Sequence, residues 1–201
     1  MTAMPSLRSL ARLLPAAALV PLAGCISFGA KPPPTLLTLE AAAQPQAGQT
    51  QSSAAGRSIV VNPPSAPVAI AVTRVPVRAS ETELAYVKDA QWSEPPTRLF
   101  ARLIADTLTA RAGMVVLTPA QSFEDPSATL GGELRYFGLD AGTRAAVVTY
   151  DATLVRAGRT AVEKRRFEAS VPVATLDAAA AGPALNQAAN QVAAQVADWA
   201  R

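Results

Sequence analysis

Cys25 is the single cysteine in this 201-residue chain, and no histidine accompanies it. These two counts narrow the available chemistry. A serine–histidine triad, histidine acid–base catalysis and the usual histidine or cysteine metal sites all need residues the sequence does not contain. A lone cysteine also has no partner for an intramolecular disulfide. Carboxylates gather at Glu81 and Glu83 and at Glu124-Asp125. Both sets lie in polar stretches where adjacent acids are ordinarily solvated, and no spacing arranges them as a hydrolytic pair. Gly131-Gly132 has neither the rest of a phosphate-loop pattern nor its helix. Lys164-Arg165-Arg166 is a run of three cations on an expected strand. A solvated edge strand whose charges discourage unwanted pairing accounts for it. Contact with anionic lipid headgroups or with an acidic partner is the functional alternative. The expectation is a protein that is not an enzyme and has neither a metal site nor a noncovalent cofactor.

What surrounds Cys25 is more informative. Arg8 and Arg12 precede an apolar run from Leu13 to Ala23, and the small residues Ala23-Gly24 stand just before the cysteine. A basic start, an apolar middle and small residues at a cut site make a secretory signal. The run is too short to span about 30 Å of hydrocarbon comfortably. Leu22-Ala23-Gly24-Cys25 resembles the bacterial lipoprotein signal. That resemblance implies a diacylglycerol on the Cys25 sulfur, cleavage after Gly24 and an acyl chain on the new amine. A secretory signal with a chance cysteine, or a short membrane anchor, are the alternatives. Ile26 and Ser27 follow, without the aspartate that resembles an inner-membrane retention signal, which points to the outer membrane.

Length and composition agree with one domain that has a real core. Without residues 1–24, 16 basic and 15 acidic residues remain, a net charge of about +1. So small an excess gives no reason to expect nucleic acid as a partner. The apolar half of the sequence is mostly alanine and valine, with 5% aromatic residues, which suits a small domain with α and β layers. Residues 25–34 end in Pro32-Pro33-Pro34 and read as a lipidated, extended tether. Residues 35–201 read as a single domain.

The domain's elements follow from periodicity. Thr35–Leu39 reads as a first strand. Residues 40–57, rich in Ala, Gln, Gly and Ser without a period, read as a flexible insertion. Ser58–Val61 and Pro67–Val77 read as strands, the second from alternation of Val68, Ile70 and Val72. Ser80–Asp89 reads as a short strand or turn. A helix is expected from residues 95–96, with Leu99, Phe100, Leu103, Ile104 and Leu108 as its apolar stripe and Gly113 as its stop. Met114–Leu117 is a strand, followed by a loop from Pro119 to Pro126. Three strands then form an antiparallel meander: 128–139, 145–155 and 160–173. In the middle strand Ala146, Val148, Tyr150, Ala152 and Leu154 face the core, while Asp151 faces outward beside an arginine. A last helix runs from Pro183 to Ala200 with a seam of Leu185, Ala189, Val192, Val196 and Trp199. The fold class is therefore α+β: a mixed, largely antiparallel sheet with two amphipathic helices packed on one face.

The order of these features resembles a known family. The lipoprotein signal, Thr35–Leu39, Ile70-Ala-Val-Thr-Arg-Val-Pro-Val77, Tyr86 with Trp92, Leu134-Arg-Tyr-Phe137, the strand 146–155, Arg166-Phe167 and the final helix with Trp199 are similar to the ABC-type transport auxiliary lipoproteins, the PqiC/YmbA-like group. The resemblance implies an outer-membrane, periplasm-facing lipoprotein that works with a mammalian-cell-entry (MCE) domain protein, an ABC permease and a cytoplasmic ATPase to move phospholipid. It leaves a homo-oligomer open. A lipid-binding carrier and an assembly lipoprotein of another outer-membrane machine are the rival readings. Lys164, Arg165 and Arg166 are the candidate contact with a partner or headgroup.

Overall fold

The computed structural model describes residues 35–53, 57–121 and 126–201; the signal 1–24, the tether with Cys25 and the pair Glu124-Asp125 lie outside the described residues. The longest strand, β5 (Ala128–Asp140), organises the sheet. Its sequence supplies apolar residues at period two through Ala128, Leu130 and Leu134, all buried. One edge of β5 pairs antiparallel with β6 (Ala145–Arg156) over its whole length, and β6 pairs antiparallel with the edge strand β7 (Val162–Pro172). The turns between them span only residues 141–144 and 157–161, so neighbours in sequence become neighbours in space.

The other edge of β5 is shared. β1 (Ser58–Val61) lies parallel to residues 128–130, and β2 (Arg74–Arg78) lies parallel to residues 139–140. From Val61 to Val77 the chain uses 16 positions while β5 advances nine, from Leu130 to Leu139. The surplus leaves the sheet as a loop carrying the single helical turn α1 (Val68–Ala71). β4 (Val115–Leu117) pairs parallel with β1, and β3 (Leu84–Gln91) pairs antiparallel with β2. The result is a mixed seven-stranded sheet that forks along one side of β5.

Close approach at the fork has a local cause. Gly138 of β5 has no side chain, and a Cβ placed there would lie 2.4 Å from the Pro76 carbonyl oxygen. Glycine at this position lets β2 seat against β5.

Two long helices cover one face. α2 (Pro96–Ala112) starts with a proline at its first helical position and ends at Gly113, whose φ of 62° is the left-handed stop a glycine accepts most readily. α3 (Ala178–Ala200) completes the layer. Phe100 of α2 makes an edge contact with Tyr150 at 5.3 Å, and Trp199 of α3 packs on Phe167 at 5.5 Å. Tyr150 and Phe167 are register partners, so both helices lie on the same face of the sheet. Phe100 also reaches Phe137, which meets Trp92, giving a chain of tilted rings through the core. α3 buries a broad band of small residues, among them Ala181, Ala184, Ala188, Ala193 and Ala197, which allows its backbone to approach its neighbours closely.

The expected meander, the buried α2 stripe, the α3 seam with Trp199 half-buried at its end, and the α+β class are all present. Three local expectations need correction. Thr35–Leu39 is not a strand: Leu37 makes one parallel bridge to Trp92, donating to Gln91 O at 2.7 Å and accepting from Ser93 N at 2.8 Å. Val68–Ala71 is helical, because Pro67 accepts from both Ile70 N and Ala71 N at 2.9 Å. This turn buries Ile70 and leaves Val68 82% exposed, whereas alternation would have put both on one face. α3 begins five residues before Pro183, because Asp177 caps it through a 2.9 Å bond from Ala180 N and four alanines follow.

Residues 40–53 form no helix or strand, yet their start is held: Glu40 N and Ala42 N donate to Asn186 Oδ1 and Asn190 Oδ1 at 2.9 and 2.7 Å. The expectation of flexibility therefore does not apply to residues 40–42.

Truncating Phe100 removes the ring that joins helix to sheet. Phe100→Ala is expected to lower unfolding free energy by about 3–5 kcal/mol in denaturant titration. Gly138→Ala forces backbone against backbone and is expected to cost about 1–3 kcal/mol in the same measurement.

Candidate partner-docking face

The helix-free face of the β5–β6–β7 meander carries the charged residues. On β6, Thr149, Asp151, Thr153 and Val155 point this way because the alternate set is buried against the helices. Cross-strand register then fixes their neighbours. Asp151 stands between Glu133 on β5 and Arg166 on β7. Two carboxylates directly opposite each other repel, and two arginines offset this. Arg166 grips Asp151 with both ends of its guanidinium, Nε–Oδ1 at 2.6 Å and Nη2–Oδ2 at 2.7 Å. Arg135 bonds Glu133 at 3.0 Å and comes within 4.0 Å of Asp151. Arg135 can do this because β5 shifts register between Leu134 and Tyr136, leaving it as the extra residue of a bulge. Thr149 Oγ1 donates to Glu168 Oε2 at 2.8 Å.

The Arg166 hydrogen bonds hold the Asp151 carboxyl below the usual carboxylate range. Because Arg166 keeps 61% of its side-chain exposure, solvent screens the pair and it mainly orders the surface charges. Gly132 (φ 141°) leaves a groove of about 370 Å³ between this pair, Thr153 and Lys164; a Cβ on it would sit 2.1 Å from Asp151 O. Gly132, not Gly131, is thus a place of close strand approach.

The structure separates the three expected cations. Lys164 and Arg166 share the helix-free face, opposite Thr153 and Asp151. Arg165 alternates to the other side, where its guanidinium lies 5.1 Å from the Phe167 ring. The run is therefore not one basic patch, because a strand turns successive side chains to opposite faces. Cys25 lies outside the described residues. Glu133, Arg135, Thr149 and Glu168, which complete the ladder, were not singled out in the sequence; period two marks their face, but only the strand register brings them together.

A second polar cluster closes the end of the sheet at the β5–β6 turn. Tyr136 Oη accepts from Arg78 N at 3.0 Å and donates to Leu139 O at 2.5 Å. The Arg78 guanidinium lies 4.2 Å from the Tyr136 ring centroid and 3.0 Å from Asp140 Oδ2. Asp140 Oδ1 also accepts from Thr143 N at 2.8 Å and Thr143 Oγ1 at 3.0 Å. Bonding from the Thr143 backbone, then its hydroxyl and Arg78, lowers the Asp140 pKa, while burial pushes the Tyr136 hydroxyl up.

A lowered carboxyl stabilises the fold above its unfolded value of about 4, and that contribution disappears as pH falls through the folded value. Asp140→Asn is expected to be less stable than the parent at pH 7 and to lose less stability between about pH 4 and pH 2. Thermal melts across that range measure it; parallel losses in the two proteins would refute the assignment.

Among the described residues, no group of three or more Asp, Glu, Cys or His could hold a metal, and no helix is long and apolar enough to cross a membrane. The crystal structure of a Xanthomonas campestris protein is similar to this chain, with 24% identity, a TM-score of 0.68 and coverage of 82% of this chain and 94% of that one. A crystal structure of an uncharacterized protein has 19% identity and a TM-score of 0.63, covering 71% of this chain and 91% of its own. Both share the fold. Comparison with curated proteins gives no match. The family model described as the ABC-type transport auxiliary lipoprotein component matches residues 37–197, from the Leu37 bridge to the last turn of α3, and the chain belongs to that family.

Proposed function

We propose that this protein is a non-enzymatic, lipid-anchored component of an MCE-type ABC transport system that moves phospholipid across the periplasm. In this reading it sits on the outer membrane and faces the periplasm. The family match over residues 37–197 carries the proposal, and the Leu22-Ala23-Gly24-Cys25 signal supports the anchor. Acyl chains on Cys25 supply membrane affinity at about 0.8 kcal/mol per buried methylene, and more than one chain is needed for stable attachment. The folded domain then serves as a docking body for the MCE-domain protein, with a permease and an ATPase completing the system. Its charged ladder suits recognition: Asp151 and Arg166 are already paired, so they present an ordered pattern of charge without a reactive group.

Affinity purification of the full-length lipoprotein from its native membranes, with mass spectrometry, tests the reading. Recovery of an MCE-domain protein with its permease and ATPase is expected. Recovery of another outer-membrane machine, or of no transport protein, would refute it. Mass spectrometry of the parent is expected to show acyl mass on Cys25 as the first residue, and Cys25→Ala is expected to lack that mass and to retain residues 1–24. A parent whose Cys25 carries no acyl mass would refute the lipid anchor.

A further inference from the structure

We infer that the free edge of β7 is an interface for a second copy of this chain: two β7 strands pair antiparallel about a two-fold axis at Phe167 and join two seven-stranded sheets into one. The inference concerns how the chain assembles with itself and does not rest on the transport reading above.

The first observation is a long edge without a strand on it. β7 has 11 residues, and among the described residues β6 is its only strand partner. The register with β6 runs without a break from Val162 to Pro172. Val173 N donates to Arg144 O on the β6 side at 2.9 Å, so the odd-numbered residues turn their backbone groups toward β6. Val162, Lys164, Arg166, Glu168 and Ser170 therefore present N–H and C=O groups outward, and Pro172, which has no N–H to offer, ends the row. One outward group is already touched: Glu168 O accepts from Gln195 Nε2 at 3.4 Å, longer than a well-formed bond. Such an edge is a template for another strand.

The second observation selects the occupant. In a two-fold antiparallel pair that continues the sheet, side chains keep their face, so paired residues share parity and the axis falls on a residue. An axis at Phe167 pairs Val162 with the second copy's Pro172 and so uses the whole strand. It also sets Arg166 opposite the second copy's Glu168 and Lys164 opposite its Ser170, twice over by symmetry. Glu168 makes no ion pair in its own chain among the described residues; its carboxylate accepts from Thr149 Oγ1. Across the axis it meets Arg166 directly and Lys164, which also makes no ion pair among the described residues, on the diagonal. The adjacent registers bring like charges together. An axis at Arg165 sets Lys164 against Arg166, one at Arg166 sets that arginine against itself, and one at Glu168 does the same to the carboxylate. The register that uses the full strand is thus also the self-complementary one, a property that fits a second copy and that an unrelated strand has no reason to share. On the helix-covered face the axis brings together the two Phe167 rings, each packed beneath a half-buried Trp199.

Disulfide trapping in native membranes tests this with the full-length lipoprotein. Positions 164 and 170 of the two copies become a hydrogen-bonded pair with Cα atoms about 5.5 Å apart, within disulfide range. Within one chain they are six residues apart, about 20 Å along a strand, and cannot bond each other. On oxidation, Lys164→Cys with Ser170→Cys is expected to give a reducible dimer, with the 164–170 bond identified by mass spectrometry of the linked peptides. Val162→Cys with Ser170→Cys reports the register centred on Arg166 and is expected to give at least tenfold less. Adding Glu168→Lys to the first pair sets a cation against Arg166 and should lower its dimer yield at least tenfold. All these side chains are exposed, so melting temperatures should change little. No dimer, equal yields from the two cysteine pairs, a dimer insensitive to Glu168→Lys, or a disulfide only with another protein would overturn the inference.

Discussion

Both edges of β5 must be satisfied along its length, and the architecture follows from how differently the two edges are met. A strand of 13 residues exposes more backbone donors and acceptors than either β1 or β2 can pair. On one side the problem is solved by immediate chain reversal, since β6 is nearly as long and returns directly. On the other side, two short parallel segments from the early part of the chain divide the edge, with Ser65 bridging to Glu133 between them. Each brings a further strand to its own outer side. The fork is thus the geometric outcome of covering one long edge with two short strands.

This asymmetry separates the face that stabilises from the face that displays. The aromatic chain from Trp92 through Phe137 and Phe100 to Tyr150, together with the alanine band of α3, fills the helix-covered side. The other side of the meander is occupied by charges in cross-strand register. Substitution there changes the displayed charge with little effect on the core. The chain belongs to the family of ABC-type transport auxiliary lipoprotein components.

What the sequence made legible was what depends on local period. The helix stripe from Leu99 to Leu108, its stop at Gly113, and the inward set of β6 follow from spacings of 3.6 and 2 alone. The outward Asp151 beside an arginine was legible for the same reason. The misreadings occurred where a nonlocal contact outweighed a local pattern. Val68, Ile70 and Val72 alternate as a strand would, but Pro67 and the need to loop out surplus chain between β1 and β2 fold this stretch into a turn. Leu36 and Leu37 have strand-like character, yet only one bridge partner is in reach, at Trp92. Lys164-Arg165-Arg166 read as a patch because charge runs are seen along the chain, whereas a strand sorts them by parity. The Glu133–Asp151–Arg166 ladder depends on register, which requires the bulge at Arg135 and could not be counted in advance.

The way residues 37–42 lie against α3 also bears on how the domain transmits force. Leu37 is bonded on both sides at Trp92, and Glu40 and Ala42 are stapled to Asn186 and Asn190 along the helix. Asn190 reinforces the second staple by donating to Glu40 O at 2.9 Å. A pull on the N-terminus in the direction away from α3's C-terminal end loads these bonds together and lengthwise, as in a lap joint. Peeling would break them one at a time. A load entering through this segment is therefore shared by several bonds along α3.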